Sequence, residues 1–175
     1  MQAGSMKWML LVLAFAISSV RAGTGDEPVG FAMWSAERIE AAADRLEGEL
    51  GDKVMVYEVI GNNYKDHSMY LVLRGKTGLA EFHETESDYQ ISFRGTATHI
   101  IGGKLVDPWR LVDAEQRPRK QLRARSIQEG QSSPLKPGDI IHVPPATPHQ
   151  LIIEPGKPYM YILIKLNEEP GRTEG

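Results

Sequence analysis

The hydrophobic pattern changes period once along the chain. In SAERIEAAADRLEGELGD, residues 35–52, the apolar positions Ile39, Ala42, Ala43, Leu46 and Leu50 fall three and four apart. That spacing predicts one amphipathic helix, with Ser35 as its N-cap, Glu37 favouring the first turn and Gly51 as its stop. Beyond Gly51 the runs become short and rich in β-branched and aromatic residues: 54–60, 69–74, 79–83, 89–93 and 96–101, then 122–127, 139–143, 150–154 and 159–166. GNN, GKTG, ETESD and GG turns separate the earlier ones. Short strands at close intervals predict an all-β sandwich or barrel, with the helix covering one end. No internal repeat stands out.

The interval 104–131 is the least regular. It holds Asp107-Pro108-Trp109 and a basic cluster of Arg117, Arg119, Lys120, Arg123 and Arg125. We read it as a solvated loop running into a strand whose alternating arginines face water. A lid or an anionic-substrate clamp is the functional alternative.

At the start of the chain, Lys7 precedes the apolar run Trp8 to Val20, and VRAG follows. A basic start, a short apolar core and small residues at the cleavage positions describe a secretory signal peptide, cut after Ala22. The run falls short of the roughly 20 residues a membrane span needs, so no stable membrane anchor is expected. The division is then 1–22 signal peptide, 23–53 lead-in and helix, 54–166 barrel, and 167–175 disordered tail, with a periplasmic or secreted location. The 175 residues, 41% hydrophobic and 25% charged, suit one domain. A formal net charge of −3 gives no sign of a nucleic-acid partner. There is no cysteine. No disulfide or thiolate is available, and any metal must be held by His, Asp or Glu.

Candidate chemistry concentrates in GKTGLAEFHETESDYQISFRG, Gly75 to Gly95. Glu81 and His83 are two apart in a predicted strand and therefore share a face. They are either half of a metal site or an exposed polar face. A second stretch, PGDIIHVPPATPHQLII, carries His142 and His149.

Taken together, the two stretches resemble the two signature motifs of the cupin family of β-barrels. The first family motif runs glycine, five residues, His-x-His, three or four residues, Glu, six residues, glycine. Gly75, Glu81, His83, Asp88 and Gly95 fall on those positions, with Glu81 in place of the first His and Asp88 in place of Glu. The second runs glycine, five residues, Pro-x-Gly, two residues, His, three residues, Asn. Gly138, Pro144, Ala146, His149 and Ile153 fall there, with Ala146 for Gly and Ile153 for Asn. The resemblance covers about residues 54 to 166 and implies a double-stranded β-helix, or jelly-roll, barrel.

In cupins the four equivalent positions surround one divalent metal, so the resemblance implies His83, His149, Glu81 and Asp88 as ligands. Two nitrogens and two oxygens suit Fe, Mn, Zn or Ni. The implied function is a metal-dependent enzyme, of dioxygenase, isomerase or lyase class, acting on a small oxygen-rich molecule, with Glu81 or an unligated Asp88 as general base. The alternative is a non-catalytic small-ligand-binding module. Family analogy also allows a homodimer through QLIIE and YMYILIKL. Of the other histidines, His142 is expected in the barrel wall, His67 at the surface, and His99 reaches the cavity only if its face points inward. Trp109 and Tyr89 are candidates for the cavity mouth or the core.

Overall fold

The computed structural model describes residues 31–61 and 66–167. The signal-peptide reading, most of the 23–53 lead-in before the helix, and nearly all of the tail lie outside those residues. Among the described residues, no helix is long and apolar enough to cross a membrane.

The one helix, α1, spans Ala36–Leu50. The Ser35 side chain accepts a hydrogen bond from the Arg38 N–H, and Gly51 closes the helix at a positive φ. Its apolar face, Ala42, Ala43, Leu46 and Leu50, packs on Leu71, Leu73 and Met160 of the barrel wall. Arg94 reaches across from the wall to Asp44 at 2.8 Å, Glu47 at 2.9 Å and Glu40.

The strands are β1 (Met55–Val59), β2 (His67–Arg74), β3 (Ala80–His83), β4 (Glu86–Arg94), β5 (Ala97–Ile101), β6 (Lys104–Leu105) and β7 (Trp109–Val112). They continue as β8 (Pro118–Ala124), β9 (Ile127–Gln128), β10 (Gln131–Leu135), β11 (Ile140–Val143), β12 (His149–Ile152) and β13 (Tyr159–Asn167). One sheet has the order β1-β2-β13-β4-β11 and the other β10-β5-β12-β3-β8-β7, with β6-β9 as a separate ribbon. From β2 to β5 the chain alternates between the sheets strand by strand, and it does so again from β10 to β13. Two such antiparallel coils wound together make a double-stranded β-helix. The fold is all-β and cupin-like.

The interior between the sheets is filled by Val72, Leu135, Leu151, Ile153, Tyr159 and Tyr161. β2 and β13 are therefore buried on both faces: Leu71, Leu73 and Met160 under the helix, Val72 and Tyr161 inside the barrel. This explains the apolar run from Tyr159 to Ile164. β13 lies between β2 and β4, and β12 between β5 and β3. Both strands therefore have both edges paired. The first motif's closing glycine is required: Gly95 has φ 74°, and a Cβ there would lie 2.3 Å from the Pro158 carbonyl oxygen.

The irregular interval departs from the solvated-loop reading. It folds into the β6-β9 ribbon and the β7-β8 hairpin, and β8 pairs with β3, extending the second sheet. Arg117, Arg119, Lys120 and Arg125 are exposed as expected, but Arg123 is not. The predicted 122–127 strand is present but lies earlier, at 118–124, where Pro118, Lys120 and Gln121 dilute the apolar pattern.

Leu46 is buried where the helix meets the wall. Leu46→Ala is expected to cost about 2–4 kcal/mol, read as a lower midpoint in urea unfolding without a change in m-value.

Candidate metal and acid–base centre

On β3, His83 is buried and Glu81 half-buried, and both line the cavity inside the barrel. His149 on β12 stands opposite Glu81 in register. Asp88 comes from β4 in the facing sheet. The fold thus brings all four sequence-predicted residues to one point. His83 is 3% exposed, Asp88 3% and His149 4%.

One ligand atom from each of Glu81, His83 and His149 can be chosen so that all lie within 4.8 Å of one another. His83 Nε2 is 3.3 Å from Glu81 Oε2. Asp88 Oδ2 faces both imidazoles, 3.8 Å from His83 Nε2 and 3.5 Å from His149 Nε2. His149 Nδ1 donates to the Thr147 carbonyl at 3.0 Å. That bond fixes the tautomer and leaves Nε2 as a lone pair aimed at the cluster. Two imidazole nitrogens and one or two carboxylate oxygens suit a borderline divalent ion, so the donor set fits.

Cations also enter this centre. Lys165, on β13 directly opposite Asp88, donates to Asp88 Oδ1 at 2.5 Å and lies 3.4 Å from His83 Nε2 and 3.4 Å from Glu86 Oε2. Arg74 Nη2 reaches Glu81 Oε1 at 3.1 Å, with its Nε on the Tyr161 hydroxyl at 3.1 Å. Arg123 Nη2 lies 3.2 Å from Glu81 Oε2. Burial alone would raise both carboxyls. For Asp88 the approach of His149 and the Lys165 charge outweigh it and hold the group at about 2. Glu81 is held well below its ordinary range, against its burial, by His83, Arg123 and Arg74. Burial would lower the Lys165 ammonium, but Asp88 and Glu86 raise it.

The turn that delivers His149 is tied to β3 by the Ala146 N–H, which donates to the His83 carbonyl at 2.7 Å. Ala146 occupies the position of the family motif's glycine and has φ 56°. An L-residue there is strained. His99 does point inward. It is 2% exposed, its ring centroid is 6.3 Å from that of His149, and its Nε2 has no hydrogen-bond partner. Burial, with the neighbouring His149 adding and Asp88 opposing, pushes its imidazole down to about 4.

His142 lies in the barrel wall on β11 as expected, but its side chain is exposed rather than partly buried and stacks on Tyr89 with centroids 4.3 Å apart. Tyr89 and Trp109 do not border the cavity beside the cluster. That cavity, of about 410 Å³, opens over Glu81, His83 and Lys165. Arg119, Gln121 and Arg123 of β8 form one side, and Tyr57, Tyr70, Val72, Arg74 and Leu163 of the other sheet face them. Lys165 and Arg74 were missed by sequence reasoning, and Arg123 was read as facing water, with an anionic-substrate clamp only as the alternative. One signal was present: in YMYILIKL, Lys165 shares a face with Tyr161 and Leu163, an odd place for a charge unless something opposes it.

No protein-family model matches the chain, and no curated protein matches it. Solved structures do. KdgF from Halomonas sp. is 13% identical over 67% of this chain and 82% of its own, with a TM-score of 0.44. The polyketide cyclase RemF from Streptomyces resistomycificus is 15% identical over 67% of this chain and 68% of its own, with a TM-score of 0.45. A conserved double-stranded β-helix protein from Klebsiella pneumoniae is 15% identical over 69% and 84%, with a TM-score of 0.47. Likeness at this level says nothing about activity, and the fold assignment above rests on the strand order.

His99 and Ala146 each give a prediction. His99 is neutral when folded but takes up a proton near its ordinary 6.5 when unfolded. The stability this contributes is complete above pH 6.5 and is lost as pH falls toward 4. Urea titrations should show a loss of about 2–3 kcal/mol between pH 7 and 4.5 that His99→Leu removes. Ala146→Gly relieves the left-handed strain and should stabilise by about 1 kcal/mol, read as a higher Tm.

Proposed function

We propose that the protein is an exported, metal-dependent enzyme that works on a small oxygen-rich molecule. One divalent ion would be held by Glu81, His83 and His149, with Asp88 Oδ2 as the fourth donor. The observation that carries this reading is the convergence of those side chains, from three strands and both sheets, at one buried point.

When bound, the ion supplies a Lewis acid and, if it is iron, an oxygen-activating centre. The remaining work falls to the chain. Thr147 keeps the His149 lone pair directed inward. Arg74 and Arg123 hold Glu81 in place and ionised. Lys165 neutralises Asp88 and puts an ammonium beside the His83 ring, within reach of a molecule in the adjoining cavity. The barrel wall of Val72, Tyr161 and Leu163 keeps bulk water from the cluster's apolar side.

One observation favours a second reading, a non-catalytic ligand-binding module without metal. Lys165 Nζ lies 3.4 Å from His83 Nε2, close to where an ion on that nitrogen would compete with it for space and charge.

Elemental analysis by mass spectrometry, after reconstitution with Fe, Mn, Ni and Zn in turn, separates the two. About one ion per chain is expected, retained in the parent and lost in His83→Ala and His149→Ala. A parent that takes up none of the four ions would end the metalloenzyme reading and leave the binding module.

A further inference from the structure

The cavity beside the cluster has a charge imbalance that the metal reading does not need. Its lining carries four cations, Arg74, Arg119, Arg123 and Lys165, against the single carboxylate of Glu81. Adding Asp88 and Glu86, which hold Lys165 from beneath, still leaves one positive charge. Two guanidiniums share Glu81, one on each oxygen. Arg119 makes no ion pair among the described residues, although its neighbours Arg110 and Arg117 are both paired. A bound divalent ion would add to the surplus.

The opposite side of the cavity is apolar and aromatic. Tyr57 lies edge-on to Tyr70, with centroids 5.7 Å apart at 85°. Tyr57 is 56% exposed even though it borders a cavity. Val72 and Leu163 continue that wall inward. A ring face that large, left open opposite guanidinium groups, offers stacking area to a molecule that also presents a negative group. At about 410 Å³ the space is near the small end of ligand sites, which run from about 300 to 1,000 Å³.

We infer that this cavity is a subsite for a small organic anion: its carboxylate or phosphate is read by Arg119 and Arg123, and its apolar body lies against Tyr57 and Tyr70. The inference deepens the proposed function by naming a substrate class and rests on that reading for the role of the neighbouring cluster. Guanidinium forks match both anions, and binding one in a partly desolvated cleft outweighs the ordinary weakness of exposed charge pairs. Arg119, without an ion pair among the described residues, leads; Arg123 also holds one oxygen of Glu81, while Arg74 holds Glu81 and the Tyr161 hydroxyl together. Lys165 is likewise held by its own carboxylates.

Calorimetric titration of the purified protein with benzoate, cyclohexanecarboxylate and phenyl phosphate tests this, with benzamide as the neutral counterpart. At least one anion should bind, at least tenfold more tightly than benzamide, and more weakly as salt rises. Benzoate against phenyl phosphate tells which anionic group is preferred. Arg123→Gln should weaken anion binding about tenfold. Arg119→Gln, an exposed change expected to leave Tm unchanged, should weaken it in the same direction. Equal binding of benzoate and benzamide, no anion binding at all, or undiminished binding in both variants would overturn the inference. Running each titration on chelator-treated and metal-loaded protein, with metal content measured, separates the two readings. Anion-selective binding by a protein that takes up no metal leaves the subsite standing without the metalloenzyme. Metal uptake with no preference for anions does the reverse.

Discussion

The interior of this barrel depends on the pairing of Lys165 with Asp88. An ionised carboxylate at 3% exposure is costly to bury without a partner. Its partner stands directly across the β4-β13 ladder, 2.5 Å away. Leaving either charge alone would cost about 3–5 kcal/mol. The pair also constrains geometry. A one-residue slip between β4 and β13 would turn one charge outward and leave the other buried. β13 is the central strand of its sheet, so its register sets that of β2 on the other side. The same register keeps Leu71, Leu73 and Met160 under the helix while Val72 and Tyr161 face inward.

The candidate centre inherits this arrangement. Asp88 spends one oxygen on Lys165 and turns the other toward both imidazoles. Glu81 is fixed in the same manner, by a guanidinium on each oxygen. Carboxylates that would otherwise titrate or swing are ionised and stationary before any ligand arrives. That is preorganisation by counter-charge, and it lets a pocket be polar without being soft.

Much of this was legible in the residues. Period-two spacing put Glu81 and His83 on one face, and two motifs in order marked Asp88 and His149 as their companions. The helix ran from its Ser35 cap to its Gly51 stop as the pattern predicted. What stayed hidden was non-local. Alternation tells which face a side chain takes, but not which strand lies across from it. Lys165 therefore read as part of an apolar run, and Arg74 as a strand end. Arg123 stood in a predicted strand, but its alternating arginines were read as all facing water. His142 was misjudged for a related reason: nothing in DIIHV says which of its faces is outward on an edge strand.

β8 has one more effect, on the colloidal behaviour of the protein. Without it, β3 would be the rim of the second sheet, with the backbone N–H and C=O groups of the Glu81–His83 strand open to any passing strand. With it, the rim moves out to β7. That strand is four residues long, carries Arg110 and has an irregular register against β8 between Arg110 and Val112. Short, charged, bulged edges are poor templates for strand addition. The segment that lends Arg123 to the pocket therefore also shields the site's own strand from edge-to-edge aggregation.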